Sequence, residues 1–120
     1  MVDKVNLAVK LSLFDEPWSP KIVAELNDAY VKVVKFEGEF VWHHHDDEDE
    51  LFLVVSGRLR MQFRDGDVVL EPGELIVVPR GVEHCPLAEG ETQVVLIEPR
   101  STLNTGNVLN ERTLEQLERL

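Results

Sequence analysis

The chain has 120 residues, and we expect residues 1–120 to form one domain. Its 23 acidic and 12 basic side chains give a formal net charge of -11, which argues against nucleic acids and anionic membrane surfaces as partners. Because no apolar run approaches the roughly 18 residues of a membrane helix and a single cysteine allows no internal disulfide, we expect a cytoplasmic protein.

The N-terminal part of the chain combines an ambiguous segment with a clear hairpin pattern. Residues 1–13 are compatible with a strand, because apolar residues alternate along them, or with a helix, because no turn residue interrupts them. The next runs of β-forming residues, 21–26 and 29–36, flank Asn27 and Asp28, which favour a tight turn. We therefore predict a β-hairpin over these two runs.

The middle of the chain has the pattern of an all-β protein. Glycines recur every seven to nine residues over 57–90, as at the turns of a barrel or sandwich. Within this range Leu59, Met61 and Phe63 alternate with polar residues, which predicts a strand with one buried face. Asp65-Gly66 then predicts a two-residue turn. Three continuously apolar runs predict strands covered on both faces: 68–70, 75–78 and 94–97.

The C-terminal segment has a different pattern. Residues 101–107 are polar and typical of a loop. Asn110 is a suitable N-cap for a short helix that would carry Leu114, Leu117 and Leu120 on one side. Because a helix of about ten residues is marginal in isolation, we expect it to dock on the rest of the domain.

All four histidines lie at two places in the sequence. Because side chains alternate along a strand, His43 and His45 share one face while His44 points away. If the next strand begins at Glu50, its carboxylate can meet these imidazoles. His84 completes a set of three imidazoles and one carboxylate if its strand is a neighbour in the sheet. Alone, the histidine triplet would be read as a solvated patch. The hypothesis of a metal site therefore depends on Glu50 and His84 lying beside the triplet in a β-sheet.

Two segments carry a resemblance to a known family. From Gly38 to Gly57 the chain contains a glycine, His-x-His, four residues, a glutamate, six residues and a glycine. From Gly73 to His84 it contains a glycine, five residues, Pro-x-Gly, two residues and a histidine. In this order and spacing the segments resemble the two motifs of the cupin superfamily, and the whole chain is similar to small single-domain bacterial cupins. Ala88 stands where the second motif usually ends in asparagine.

The resemblance implies a fold and a metal site. The implied fold is all-β, a double-stranded β-helix or jelly-roll barrel with its core over about 21–98, short terminal segments and, in this chain, the short C-terminal helix. The family's metal ligands fall on His43, His45, Glu50 and His84. Such a set suits one divalent transition metal ion, Fe, Ni, Mn or Zn, with open positions for a ligand.

The residues around the predicted ligands suggest a small apolar pocket. By alternation Phe52 and Val54 would line it near Glu50, with Met61 and Phe63 behind them, although packing in the core is the simpler interpretation of these side chains. No further acid or base is indicated, so no catalytic residue is assigned.

The predicted function is that of a metal-dependent enzyme for a small molecule, an oxygenase or isomerase of an oxygen-rich or enolisable substrate. The alternative is a non-catalytic module that binds metal or a small ligand. Trp42 on the outer face and terminal segments that need a docking surface also predict a homodimer.

Overall fold

The computed structural model describes residues 2–120 and shows a chain built almost entirely of β-strands. One short helix, α1 (Leu7–Leu11), begins where the Asn6 side chain accepts a hydrogen bond from the Val9 N–H at 3.0 Å. The sequence allowed a strand or a helix over residues 1–13; a helix forms over Leu7–Leu11 only, and Met1 lies outside the described residues. Seven strands follow: β1 (Lys21–Leu26), β2 (Ala29–Glu39), β3 (Glu50–Ser56), β4 (Leu59–Phe63), β5 (Gly66–Leu70), β6 (Leu75–Val78) and β7 (His84–Pro99). Among the described residues, no helix has the length and apolar character that a membrane crossing requires.

The strands form an antiparallel jelly-roll barrel, which confirms the predicted fold class. Strand β7 forms hydrogen-bonded ladders with three other strands, β2, β3 and β4. The first residues of β7, His84–Leu87, pair with β4, whereas its last residues lie between β2 and β3. A register shift in β2 between Phe36 and Gly38 lies opposite the point where β7 passes from one part of the barrel to the other. Strand β7 therefore joins both halves of the barrel.

The two predicted hairpins both form. Strands β1 and β2 meet at Asn27, whose φ of 52° is a left-handed conformation that asparagine tolerates. The turn between β4 and β5 lies one residue earlier than predicted, at Arg64–Asp65 instead of Asp65-Gly66, because Phe63 pairs with Gly66. Gly66 consequently begins β5, where its φ of 140° supplies the unusual backbone conformation.

The burial of the three apolar runs differs in part from the prediction. The run 94–97 is buried or half-buried throughout, as predicted. In the other two runs, Val68, Leu75 and Val77 are 40%, 53% and 53% exposed. Leu75 and Val77 lie on the outer face of β6, whereas the N-terminal segment covers the outer face of β2 and β7. Val68 lies on β5, which pairs with β4 only.

The predicted C-terminal helix is wrong, because the described residues 101–120 contain no helix. The Asn104 side chain accepts a hydrogen bond from the Leu114 N–H and donates one to the Arg112 carbonyl oxygen, both at 2.8 Å. These bonds occupy backbone groups that a helix would use within itself. The last residues lie beside β1, where Ile22 accepts a hydrogen bond from the Leu120 N–H at 3.0 Å. The predicted docking of this segment is therefore made by an irregular chain.

The core has an inner and an outer part. The inner part fills the barrel with buried side chains from all strands except β1, among them Val34, Leu59 and Val94. In the outer part, Leu11 of α1 packs on Val33 and Val95, which face out of the barrel. The N-terminal segment thus covers the outer face of β2 and β7, and the barrel interior is left for the side chains of the candidate site.

Candidate metal centre

The backbone of the histidine triplet pairs with the start of β7. The His43 N–H donates to the His84 carbonyl oxygen at 3.0 Å, and the His84 N–H donates to the His43 carbonyl oxygen at 2.9 Å. Residues directly opposite each other on antiparallel strands present their side chains on the same face. His45 returns to this face two residues later, and Glu50, the first residue of β3, brings its carboxylate to the same place.

The structure brings together all four residues that the sequence singled out. One donor atom from each of His43, His45, Glu50 and His84 lies within 4.8 Å of all the others, and all four residues are buried. Glu50 Oε1 lies 2.9 Å from His45 Nε2 and 3.2 Å from His84 Nε2. His44 points away, as expected from alternation, and its Nε2 lies 2.9 Å from Asp46 Oδ1.

The hydrogen bonds of the rings direct lone pairs towards the cluster. The Nδ1 atoms of His43 and His84 lie 2.8 and 2.9 Å from the carbonyl oxygens of Val41 and Val82. Because a carbonyl oxygen only accepts, each Nδ1 carries the proton, and Nε2 of the neutral ring keeps its lone pair. His45 Nε2 is buried and, although it is close to Glu50, has no hydrogen-bond partner of suitable geometry in the described chain.

These donors fit a divalent transition metal ion. A buried nitrogen without a partner, two further rings whose free lone pairs face it and one carboxylate form a set of mixed nitrogen and oxygen ligands. Three protein imidazoles and one carboxylate also leave positions for a small ligand when the ion is six-coordinate.

Burial and neighbouring groups set the charges of the cluster. Burial and the nearby His84 ring lower the pKa of His43 to about 4, so that His43 is neutral at neutral pH. Burial alone would raise the pKa of Glu50, but the adjoining Glu98 carboxyl and the His45 and His84 rings favour its charged form and lower this pKa well below its usual range. Glu50 is therefore ionised and available as an anionic ligand.

Sequence reasoning missed a second buried carboxyl group, that of Glu98 in β7. Burial and the neighbouring Glu50 carboxylate raise the pKa of Glu98 well above its usual range. Its Oε1 lies 2.7 Å from Nζ of Lys32, a buried lysine of β2. A signal was present, because Glu98 has the same parity as Val94 and Leu96 on a strand whose apolar residues face inward.

A cavity of about 30 Å³ lies beside the cluster. Its wall is mostly apolar and includes four aromatic residues, and His43, Glu50, Glu98 and Asn104 supply polar groups. Trp18, which sequence reasoning also missed, stacks between Phe36 and Phe40 at ring-centre distances of 4.5 and 4.7 Å. The described chain thus places a small, apolar and partly open space next to the candidate ligands.

The four residues predicted for the pocket wall lie in different places. Phe52 lines the cavity. Val54 and Met61 are almost completely buried in the inner core, and Phe63 packs against that core. Val54, Met61 and Phe63 therefore pack in or against the core and do not line the cavity.

The loop after β7 holds the backbone of the triplet. The Asn107 side chain accepts a hydrogen bond from the His44 N–H at 2.8 Å, and the Asn107 N–H donates to the His44 carbonyl oxygen at 3.0 Å. Gly106 lies so close to this carbonyl group that a Cβ there would overlap its oxygen and lie 3.0 Å from Cδ2 of His43. No local sequence pattern indicates this contact, because it joins segments more than 60 residues apart.

Comparisons with known proteins agree with the fold and the motif positions. The family model described as Cupin domain matches residues 30–99. The crystal structure of a cupin-2 domain containing protein from Shewanella frigidimarina is 51% identical with a TM-score of 0.79, covering 80% of this chain and 94% of that chain.

Curated relatives match over shorter segments. The uncharacterized protein YdbB of Bacillus subtilis is 41% identical over 63 residues, which are 52% of this chain and 56% of the relative. An acireductone dioxygenase of Bacillus cytotoxicus is 43% identical over 63 residues, which are 48% of this chain and 37% of the relative. The chain therefore spans about half or less of the length of these relatives.

Substitution of Gly106 by alanine tests the backbone contact. We expect Gly106→Ala to displace the triplet and to weaken metal binding roughly tenfold or more, since groups that orient ligands commonly contribute that much. The measurement is competition for Co²⁺ with a coloured chelator. Gly73→Ala is the matched control, because Gly73 also has a positive φ but a Cβ there meets nothing within 4 Å. Equal Co²⁺ affinities of the two variants would contradict this role.

The lowered pKa of His43 predicts a pH dependence of stability in the metal-free protein. Between pH 6.5 and about pH 4 the unfolded chain binds a proton at His43 that the folded chain does not, so the free energy of unfolding falls as the pH falls through this window. The full shift corresponds to about 3 kcal/mol. Urea unfolding of chelator-treated protein at pH 7.5, 6 and 5 measures this decrease in the free energy of unfolding. The decrease should be smaller in His43→Gln. A decrease of the same size in His43→Gln would assign the effect to other groups.

Proposed function

We propose that this chain, which belongs to the cupin family, is a metal-dependent enzyme that acts as an oxygenase or isomerase on a small oxygen-rich or enolisable molecule. The observation that carries the proposal is the gathering of three imidazoles and one carboxylate beside an aromatic cavity. A purely structural barrel has no need of such a buried polar cluster, since unpaired polar groups in a core cost stability.

In this proposal His43, His45, Glu50 and His84 hold the ion, which is Fe, Ni, Mn or Zn. When bound, a divalent ion of this kind acts as a Lewis acid towards a carbonyl or enediol group, and iron also supplies redox chemistry with dioxygen. The residues of the chain bind and shield the substrate. Phe52 and Trp18 provide flat apolar surfaces at the cavity, and the covering aromatic rings reduce the access of water.

Relatives support the class of reaction. The name of the similar Bacillus cytotoxicus protein is acireductone dioxygenase, and an acireductone is itself an enediol compound. The matched segment of this chain includes fewer than half of that relative's residues, so the substrate and reaction of this chain are part of the proposal.

The small volume of the cavity favours a second candidate function. A free volume of about 30 Å³ has room for little more than one or two water molecules beside the ligands. A non-catalytic module that binds a metal ion and a very small ligand would need no more space. This candidate predicts ligand-dependent stabilisation without turnover.

We also propose that the chain forms a homodimer with a second copy through the outer face of β6. Leu75 and Val77 are each more than half exposed there, and the half-buried Leu53 of β3 lies beside Leu75 in the sheet. An apolar edge strand is a surface that soluble proteins ordinarily cover.

Metal content and turnover test the enzymatic proposal. We expect protein purified without added metal, then depleted and reloaded, to bind about one ion per chain and to consume dioxygen or isomerise substrate with a panel of small enediols and hydroxyketones. His43→Ala and His84→Ala should lose the ion and reduce turnover to background. His44→Ala is the matched control, because its side chain lies in the same triplet but points away from the cluster.

The outcomes separate the two functions. Metal-dependent turnover that His44→Ala retains supports the enzyme. Ligand-dependent thermal shifts without turnover support the binding module. Failure of the wild-type chain to bind Fe, Ni, Mn or Zn at any loading overturns both.

Light scattering during size-exclusion chromatography tests the dimer. We expect a species of twice the chain mass of 13.7 kDa. The double substitution Leu75→Glu and Val77→Glu should convert it to monomer, because like charges from both copies would be buried in the interface. Val68→Lys, which alters an exposed valine on β5, is the control. A 13.7 kDa wild-type species would contradict the proposal.

A further inference from the structure

A buried lysine and a buried glutamate are paired next to one of the candidate ligands, Glu50. Lys32 Nζ and Glu98 Oε1 are 2.7 Å apart, and each side chain is only 2% exposed. The two residues come from β2 and β7, 66 positions apart in sequence. The Glu98 and Glu50 side chains line the same cavity, and each shifts the pKa of the other. Lys32, Glu98 and Glu50 therefore form a chain of contacts that ends at the candidate metal centre.

Stability alone does not account for this pair. Burying an ammonium group and a carboxyl group costs free energy that their attraction often fails to recover, and apolar replacements of such pairs are commonly neutral or stabilising. Val34 and Leu96, each two positions away on the same two strands, belong to the apolar inner core. An apolar pair would fill this position equally well if packing were its only role.

The contacts of Glu98 favour a role that concerns Glu50. Lys32 fixes Oε1 of Glu98, whereas Oε2 receives no hydrogen bond from an N–H or hydroxyl group of the described chain. The Glu98 carboxyl is thus anchored on one side and directed towards Glu50 on the other. A ligating carboxylate that is held by an outer hydrogen-bonding group binds metal more tightly, because less rotational freedom is lost on binding.

We propose that Glu98, anchored by Lys32, is a positioning residue that holds the Glu50 carboxylate in the orientation required to bind a metal ion. This inference rests on the metal-dependent function proposed above. In this arrangement Lys32 acts through Glu98, and Glu98 acts through Glu50. The pair also explains why two charged residues occupy inward positions on otherwise apolar strands.

The experiment measures Co²⁺ binding by the full chain, without substrate. We expect Glu98→Met and Lys32→Met each to weaken Co²⁺ binding roughly 10-fold to 100-fold and to alter the visible absorption spectrum of the bound ion. Glu98→Gln should retain more of the affinity than Glu98→Met, because its amide can still accept a hydrogen bond from Lys32 and donate one to Glu50. Urea unfolding of the metal-free variants measures stability separately, so that a loss of folded protein is not taken for a loss of affinity. If Lys32→Met fails to fold, Lys32→Arg keeps the charge, changes the contact and should still alter the spectrum.

Lys35→Met is the matched control. Lys35 lies on the same strand and is also buried, but its Nζ donates to the Phe14 carbonyl oxygen at 2.6 Å on the outer side of the barrel. We expect this variant to lose stability while it retains wild-type Co²⁺ affinity and spectrum.

The possible results are distinct. Weakened binding with an altered spectrum in Glu98→Met, but not in Lys35→Met, supports the positioning role. Wild-type affinity and spectrum in Glu98→Met overturn that role and leave the metal site intact. Absence of Co²⁺ binding by the wild-type chain overturns the metal site itself, and the positioning role with it.

Discussion

The candidate site depends on the backbone pairing of His43 with His84, which joins two segments that are 41 residues apart in sequence. This single bridge places both imidazoles side by side on one face, with ring centres 4.4 Å apart. Alternation along the strand adds His45, and the first residue of β3 adds Glu50. Without the bridge, the cluster would be two unrelated groups of polar side chains at the end of a barrel.

Much of this arrangement could be predicted from the sequence because it follows from local rules. The period of two along a strand separates His43 and His45 from His44, and the Asn27 turn marks the first hairpin. The motif spacing from Gly38 to His84 supplied the long-range pairing that alternation alone could not. Local rules also failed at recognisable places. The leucine spacing after Asn110 suggested a helix, but the Asn104 side chain competes for the backbone groups of that segment.

The residues that sequence reasoning missed act over long distances. Asn107 holds His44, and Glu98 contacts both Lys32 and Glu50. None of these contacts leaves a periodic pattern, because each joins side chains whose meeting is decided by the packing of the whole barrel. The burial of β6 could not be predicted for a similar reason. Whether both faces of an apolar strand are covered depends on which other elements pack on those faces, and the residues of the strand itself do not encode that.

The length and pairing of β7 limit how the interior of the protein can open. Because this one strand is shared by β2, β3 and β4, the two halves of the barrel cannot separate without breaking its ladders on both sides. Trp18 and the loop that carries Asn107 are attached at the periphery by a few hydrogen bonds each. We therefore expect local opening at low free energy to begin in these peripheral segments, and small molecules to reach the interior there, while the shared strand keeps the rest of the sheet together.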